Sequence, residues 1–307
     1  MEENEERKET FQYNKVEKQG DIVVITQMTN VNRRCRTVKV SKNAYRDNET
    51  GEIHEYQNRS VNRSQNQKSL QRTFQTIRGL INANAPRRDA HKVKFITLTY
   101  AENMTDTKRL YRDFKAFWKR FLYWNEKQGN DRPEYLLVIE PQERGAWHGH
   151  LLLFYPKKAP FIPIKDLTNL WGNGFTFITK TDNIRSISAY LSAYLTDIPV
   201  DTQDDEEPDF IDEKGVPKKV LKGGRVHLYP TGMNIYRCSR GLKKPEKYFV
   251  SEDMADNYRF ENDPIYWLED EIENPSTGFK TTIRKEWFED ENFNFNEWVQ
   301  HFYQTAE

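Results

Sequence analysis

The sequence predicts an α+β fold in which helices flank an antiparallel sheet, and three observations point to it. Residues 94–100 (KFITLTY) alternate β-forming side chains, and 135–140 (YLLVIE) form a second run of the same kind. Between them, Leu110, Phe114, Phe117, Trp118, Phe121 and Leu122 recur at helical spacing. Only the short segment PQERGAW separates the second strand from a third, HGHLLLF at 148–154. Two strands so joined pair as an antiparallel hairpin, and strands mixed with helices belong to a layered α+β domain.

In chain order, residues 1–30 read as irregular apart from a short strand over Ile22, Val23, Val24 and Ile25. Residues 32–46 interleave Arg33, Arg34, Arg36, Lys39, Lys42 and Arg46 with small apolar residues. A helix over 60–82 places Leu70, Phe74, Ile77, Leu80 and Ile81 on one face, and Pro86 stops it. After strand 94–100, Asp106 is placed to cap the helix that runs to Glu126, whose aromatics read as core. Residues 164–171 form a short helix, 174–179 a fourth strand and 183–196 (NIRSISAYLSAYLT) a helix. The acidic run 201–213 reads as a surface loop or hinge. The basic stretch KGVPKKVLKGGR follows, and an acidic, aromatic tail starts at Ser251. These shifts divide the chain into a basic N-terminal region (1–90, DNA-binding or a sheet extension) and a core (91–200). An acidic loop (201–217), a basic segment completing the core (218–250) and the acidic aromatic region (251–307) complete the division.

Composition narrows the function classes. With 36% hydrophobic and 13% aromatic residues, the chain has the material for a folded core, which excludes wholesale disorder. No apolar run approaches the roughly 18 residues of a membrane span, and the charged N-terminus has no signal-like apolar stretch. Cys35 and Cys238 stand alone, which excludes a disulfide framework or a thiolate zinc site. Cytoplasm is therefore the expected compartment, and no membrane partner is expected. Net charge is zero, but it is unevenly spread. Residues 31–100 carry 15 Lys and Arg against 5 Asp and Glu, and residues 251–307 carry 4 against 15. A basic face for nucleic acid and an acidic tail would give that asymmetry.

Two small constellations can carry chemistry. On a strand, positions i and i+2 point to one side, so His148 and His150 can aim both imidazoles at one point. A hairpin brings Glu140 beside them, with Glu143 in the connecting loop as the rival third ligand. Two imidazoles and a carboxylate suit Mn²⁺ or Mg²⁺ when a substrate phosphate supplies further oxygens. On the helix over 183–196, Tyr190 and Tyr194 are four apart and share a face. A tyrosine hydroxyl in such a place can attack a DNA phosphate and hold it covalently.

Taken in order, FITLTY, a long helix, a strand ending in Glu140, WHGHLLLF, Trp171-x-x-Gly174 and YLSAY resemble the HUH replication initiators. The likeness is to the rolling-circle Rep proteins of bacterial plasmids and microviruses. It covers residues 93–197, with further likeness at YRCSRGLKKP (236–245). Relaxases place the tyrosine before the histidines, so the order favours a Rep protein. The resemblance implies a central antiparallel sheet of about five strands with flanking helices, His148 and His150 on a central strand, and the tyrosine helix packed across it. It implies a metal-dependent endonuclease and ligase in which Tyr190 and Tyr194 are catalytic and His148, His150 and Glu140 hold the metal. Two-tyrosine relatives carry lysines just before and three residues after the second tyrosine. Here Ala193 and Asp197 stand there, which leaves open which tyrosine attacks first. Arg33, Arg34, Arg36, Arg87, Arg88, Lys218, Lys219, Arg237, Arg240, Lys243 and Lys244 are the candidates for DNA phosphates. Origin DNA, single-stranded and duplex, is the expected substrate in a bacterial host. No GxxxxGK[ST] phosphate loop occurs, so strand separation calls for a host helicase in trans. A homodimer is compatible with this picture. The alternatives are an HUH transposase or mobilisation relaxase, and an origin-binding protein without catalysis.

Overall fold

A computed structural model describes residues 10–31, 37–41, 43–56, 67–85, 87–142, 145–181, 198–201, 210–211, 217–221, 228–230, 232–274 and 278–305. The chain opens with a hairpin, β1 (Tyr13–Gln19) and β2 (Ile22–Met28), followed by the meander β3 (Thr37–Lys39), β4 (Ala44–Asp47) and β5 (Ile53–Glu55). Helix α1 (Gln67–Asn84) and a 3-10 turn (Arg87–Lys92) lead into β6 (Val93–Leu98) and α2 (Thr107–Lys127). Next come β7 (Glu134–Pro141), β8 (Trp147–Phe154), α3 (Ile164–Trp171) and β9 (Thr176–Thr179). Strands β10 (Ile198–Asp201), β11 (Phe210–Ile211), β12 (Pro217–Leu221), β13 (Tyr236–Cys238) and β14 (Glu246–Phe249) follow. The chain ends with α4 (Glu252–Glu261), β15 (Tyr266–Asn274), β16 (Phe279–Glu289) and α5 (Phe295–Thr305).

These elements form two compact units. One is Ser60–Lys243 and the other joins Met1–Arg59 to Lys244–Glu307. The first unit is built on a five-stranded, wholly antiparallel sheet in the order β13-β7-β8-β6-β9, so β8 is its central strand. This is the α+β arrangement with flanking helices that the sequence predicts. Helix α2 begins where expected, with the Asp106 carboxylate accepting from the amides of Lys108 (2.8 Å) and Arg109 (3.2 Å). Its Leu110, Phe114, Phe117 and Phe121 are buried, so those aromatics serve the core. Phe114 and Trp118 pack on Tyr135 of β7 (ring centroids 5.2 and 4.6 Å apart), which sets α2 on the sheet face shared by Tyr135, Leu137 and Ile139.

Trp171 and Gly174 hold the end of β6 in place. The Trp171 indole Nε1 donates to the Thr99 carbonyl (2.9 Å), and its ring meets Tyr100 edge-on at 5.1 Å. Thr99 and Phe175 exchange backbone hydrogen bonds of 2.9 and 3.0 Å, and the Ala101 amide donates to the Asn173 carbonyl (3.0 Å). Gly174 lies so close to this segment that a Cβ would run into the Thr99 oxygen and Ala101 nitrogen, both backbone atoms with nowhere to go. Gly174→Ala is therefore expected to cost about 1–3 kcal/mol by overpacking, read as a lower denaturation midpoint. An unchanged midpoint would show that the contact relaxes freely.

The second unit differs from the expected irregular start. Its five-stranded antiparallel sheet runs β14-β1-β2-β16-β15, so two full N-terminal strands replace the short one expected at 22–25. Val16, Val23, Ile25 and Phe288 from the sheet pack with Met254, Ala255, Tyr258, Phe293 and Trp298 from the α4 and α5 region. The acidic stretch expected as a loop contributes its described residues to a small sheet, β10-β12-β11. Among the described residues, no helix is long and apolar enough to cross a membrane.

Candidate functional site

Strands β7 and β8 pair so that Glu140 stands opposite His148 and Val138 opposite His150, while β6 sets Thr97 against His150 from the other side. Residues directly opposite one another share a sheet face, and so do residues two apart on one strand. Glu140, His148, His150 and Thr97 therefore lie together on the face away from α2. The intervening Gly149 points the other way. A Cβ there would press on Leu137 Cδ1 at 3.1 Å, so the glycine lets β8 sit flush against its neighbours. The turn between the strands is closed by the Gln142 amide donating to the Ala146 carbonyl (2.7 Å), and Gly145 takes a φ of +83°.

Within this cluster Glu140 and His150 are buried and in direct contact, the Glu140 carboxylate on His150 Nε2. Thr97 Oγ1 lies 3.4 Å from His150 Nδ1, and the Phe95 ring sits 5.6 Å from the imidazole. Burial pushes the His150 pKa down to about 4, so the ring is neutral at pH 7. A neutral imidazole whose Nε2–H donates to Glu140 offers Nδ1 to the Thr97 hydroxyl. His148 is half-buried on the same face. Sequence reasoning misses Thr97 as a site residue, although the alternation of FITLTY puts it on the same side as Phe95.

The donor set is right in kind for Mn²⁺ or Mg²⁺, two imidazole nitrogens and a carboxylate. Its members are drawn together rather than opened out. Among the described residues, no three His, Cys, Asp or Glu side chains stand as a ready group of metal ligands. Glu143 lies outside the described residues, as do Tyr190 and Tyr194 and the helix expected over 183–196.

The basic candidates fall in several places. Arg33, Arg34 and Arg36 are outside the described residues, Arg87 and Arg88 open the 3-10 turn, and Lys218 and Lys219 are on β12. Arg237 is on β13 with its guanidinium 3.6 Å from the Tyr111 ring centroid. Arg240, Lys243 and Lys244 are exposed, and the Lys243 backbone is clasped by Asn84 through bonds of 3.0 and 2.8 Å.

Comparison with known proteins places this site in a recognisable segment. Residues 93–198 match the family of replication-associated proteins of the ORF2 type. The matched segment starts with β6 and contains the Glu140, His148 and His150 cluster as well as Tyr190 and Tyr194. The similarity supports a role in initiating replication. No curated protein and no solved structure matches the chain.

Proposed function

We propose that this protein is a rolling-circle replication initiator of the HUH type, which nicks one strand of origin DNA and later rejoins it. The observation that carries the proposal is the convergence of Glu140, His148 and His150 on one face of the central hairpin, inside the segment similar to replication-associated proteins. In this reading Tyr190 or Tyr194 attacks the scissile phosphorus. A phosphorus–tyrosyl oxygen bond forms as the bond to the 3′ oxygen breaks, and the tyrosine's proton reaches the departing oxygen through solvent. The products are a 5′-phosphotyrosyl link and a free 3′-OH that primes synthesis. Attack by a 3′-OH on that link, or use of the second tyrosine, closes the circle.

His148, His150 and Glu140 would hold Mn²⁺ or Mg²⁺, which when bound polarises the phosphate and offsets its developing charge. For that, Glu140 must exchange its contact with His150 for the cation, and the His150 proton must move from Nε2 to Nδ1, where Thr97 Oγ1 can accept it, so that the Nε2 lone pair is free for the cation. Basic residues such as Arg237, Arg240, Lys243 and Lys244 would position the backbone and give binding a steep salt dependence. Strand separation would fall to a host helicase in trans, and the site of action would be the cytoplasm. The direct Glu140–His150 contact favours one second reading, an origin-binding protein without catalysis in which the pair is structural.

Single-stranded origin DNA with Mn²⁺ separates the two. The proposal expects wild type to yield a protein–DNA adduct and the double variant Tyr190→Phe/Tyr194→Phe to yield none. Equal behaviour of the two proteins would remove the tyrosines from the mechanism.

A further inference from the structure

The meander β3-β4-β5 has a face that the nicking chemistry does not use. Lys39, Tyr45 and His54 are direct cross-strand partners and form one row across its three strands. Tyr56, two residues beyond His54, continues that face, and its amide donates to the Asn43 carbonyl (3.0 Å) beside β4. The Tyr45 ring lies 5.4 Å from His54 and 5.2 Å from Tyr56, with planes tilted by 31° and 45°. Cross-strand packing explains why these rings touch. It does not explain their exposure: Tyr56 keeps 38% of its surface open and the His54 side chain 43%.

Three short strands with almost no buried residue make a poor free-standing sheet, because such sheets need one face covered. The sequence of this segment indicates what would cover them. From Val31 to Arg46 the chain carries six Lys and Arg and no Asp or Glu, and Lys39 extends from the same row as Tyr45. The acidic residues Asp47 and Glu49 stand in the β4–β5 turn, where the Asp47 carboxylate accepts from the Glu49 amide (2.8 Å), and Glu55, opposite Ala44, is on the other face. The Glu52 carboxylate lies 3.5 Å from His54 Nε2, so His54 offers a ring face rather than a free charge.

Resting on the reading of DNA as this protein's substrate, we propose that the meander is a single-strand DNA platform, with unpaired bases stacking on Tyr45, Tyr56 and His54 and Lys39 meeting the backbone. Aromatic rings beside lysines recognise bases without regard to sequence, and only unpaired bases expose the faces that stack. A strand bound here would be held by protein contacts separate from the site that cuts it.

The test is fluorescence anisotropy of a labelled oligothymidylate with the full chain in EDTA, where binding is read without cleavage. Tyr45→Leu/Tyr56→Leu is expected to weaken binding by about tenfold per ring lost. Tyr45→Phe/Tyr56→Phe keeps the ring faces and should bind within about twofold of wild type on the same grounds. Lys39→Gln should lower the slope of log affinity against log salt by about one contact. Equal binding by the Leu variant overturns the platform, as does a Phe variant as weak as the Leu variant. Ring-dependent self-association without ring-dependent DNA binding also overturns it, in favour of a second copy as the occupant. A wild type that binds through the rings but forms no adduct with Mn²⁺ would defeat the proposed nicking activity and leave the platform standing. Adduct formation with ring-independent binding does the reverse.

Discussion

Replacing His148 by alanine is expected to lower Mn²⁺-dependent nicking of single-stranded DNA by more than about a hundredfold while leaving the fold intact, because a ligand matters at least as much as the groups that orient it. His148 is half-buried on the site face and is not part of the Glu140–His150 contact that the core encloses. His150→Ala is expected to lose nicking to the same extent and stability as well. It removes the imidazole that donates to the buried Glu140 carboxylate, and leaving a buried charged acceptor without its donor costs at least about 1–3 kcal/mol. Adding Glu140→Gln to His150→Ala should return part of that stability and none of the nicking, since the charge would no longer be buried. Steady-state nicking assays and chemical denaturation of the three variants read these outcomes. Nicking by His148→Ala at the wild-type rate would take the histidine pair out of the site. An unchanged denaturation midpoint for His150→Ala would show that the pair carries little of the core.

The largest effect on stability alone is expected from Trp171→Ala, at about 3–5 kcal/mol. Trp171 is buried, its Nε1 holds the Thr99 carbonyl, and its ring packs edge-on against Tyr100 at 5.1 Å and Phe117 at 5.8 Å. Truncation therefore opens a cavity between α2 and α3 and removes one of the two donors to the Thr99 carbonyl, which keeps only the Phe175 amide. Set against a typical total of about 5–15 kcal/mol, such a loss lowers the melting temperature by about 10 °C. Trp171→Phe keeps most of the volume but not the hydrogen bond, so it should fall between the two. Nicking measured well below the melting range should survive in the Phe variant, because Trp171 lies on the opposite side of β6 from the Thr97–His150 contact. A Trp171→Ala protein within about 1 kcal/mol of wild type, where ordinary surface substitutions fall, would contradict the role given to the tryptophan.

Much of the first unit was legible because its signals are local. Asp106 announces α2, the spacing of Leu110, Phe114, Phe117 and Phe121 shows which face is buried, and the short link between YLLVIE and HGHLLLF makes β7 and β8 partners. The same hairpin brought Glu140 towards the histidines. That Glu140 faces His148 while touching His150 depends on the register and on side-chain rotamers, which no spacing rule supplies. The second unit was hidden for another reason. Its sheet pairs Ile22–Met28 with strand residues Ile283–Glu289, at the far end of the chain, and nothing in either segment names its distant partner. Strand β15 gave no alternating pattern because all its residues but Leu268 are exposed, so YWLEDEIEN read as an acidic tail. The role of Gly174 follows from the closeness of two backbones, for which Trp171-x-x-Gly174 is only a faint marker.

The most direct test of nicking by a tyrosine is to trap the covalent complex. Wild-type protein is incubated with single-stranded origin DNA and Mn²⁺, digested with nuclease and protease, and its peptides are read by mass spectrometry. The expected result is a nucleotide-bearing peptide that spans residues 186–197, with the added mass on Tyr190 or Tyr194, absent in EDTA and absent from His148→Ala. A nucleotide on any other residue, or DNA cleaved with no adduct on the protein, would contradict the assignment of the tyrosines as nucleophiles.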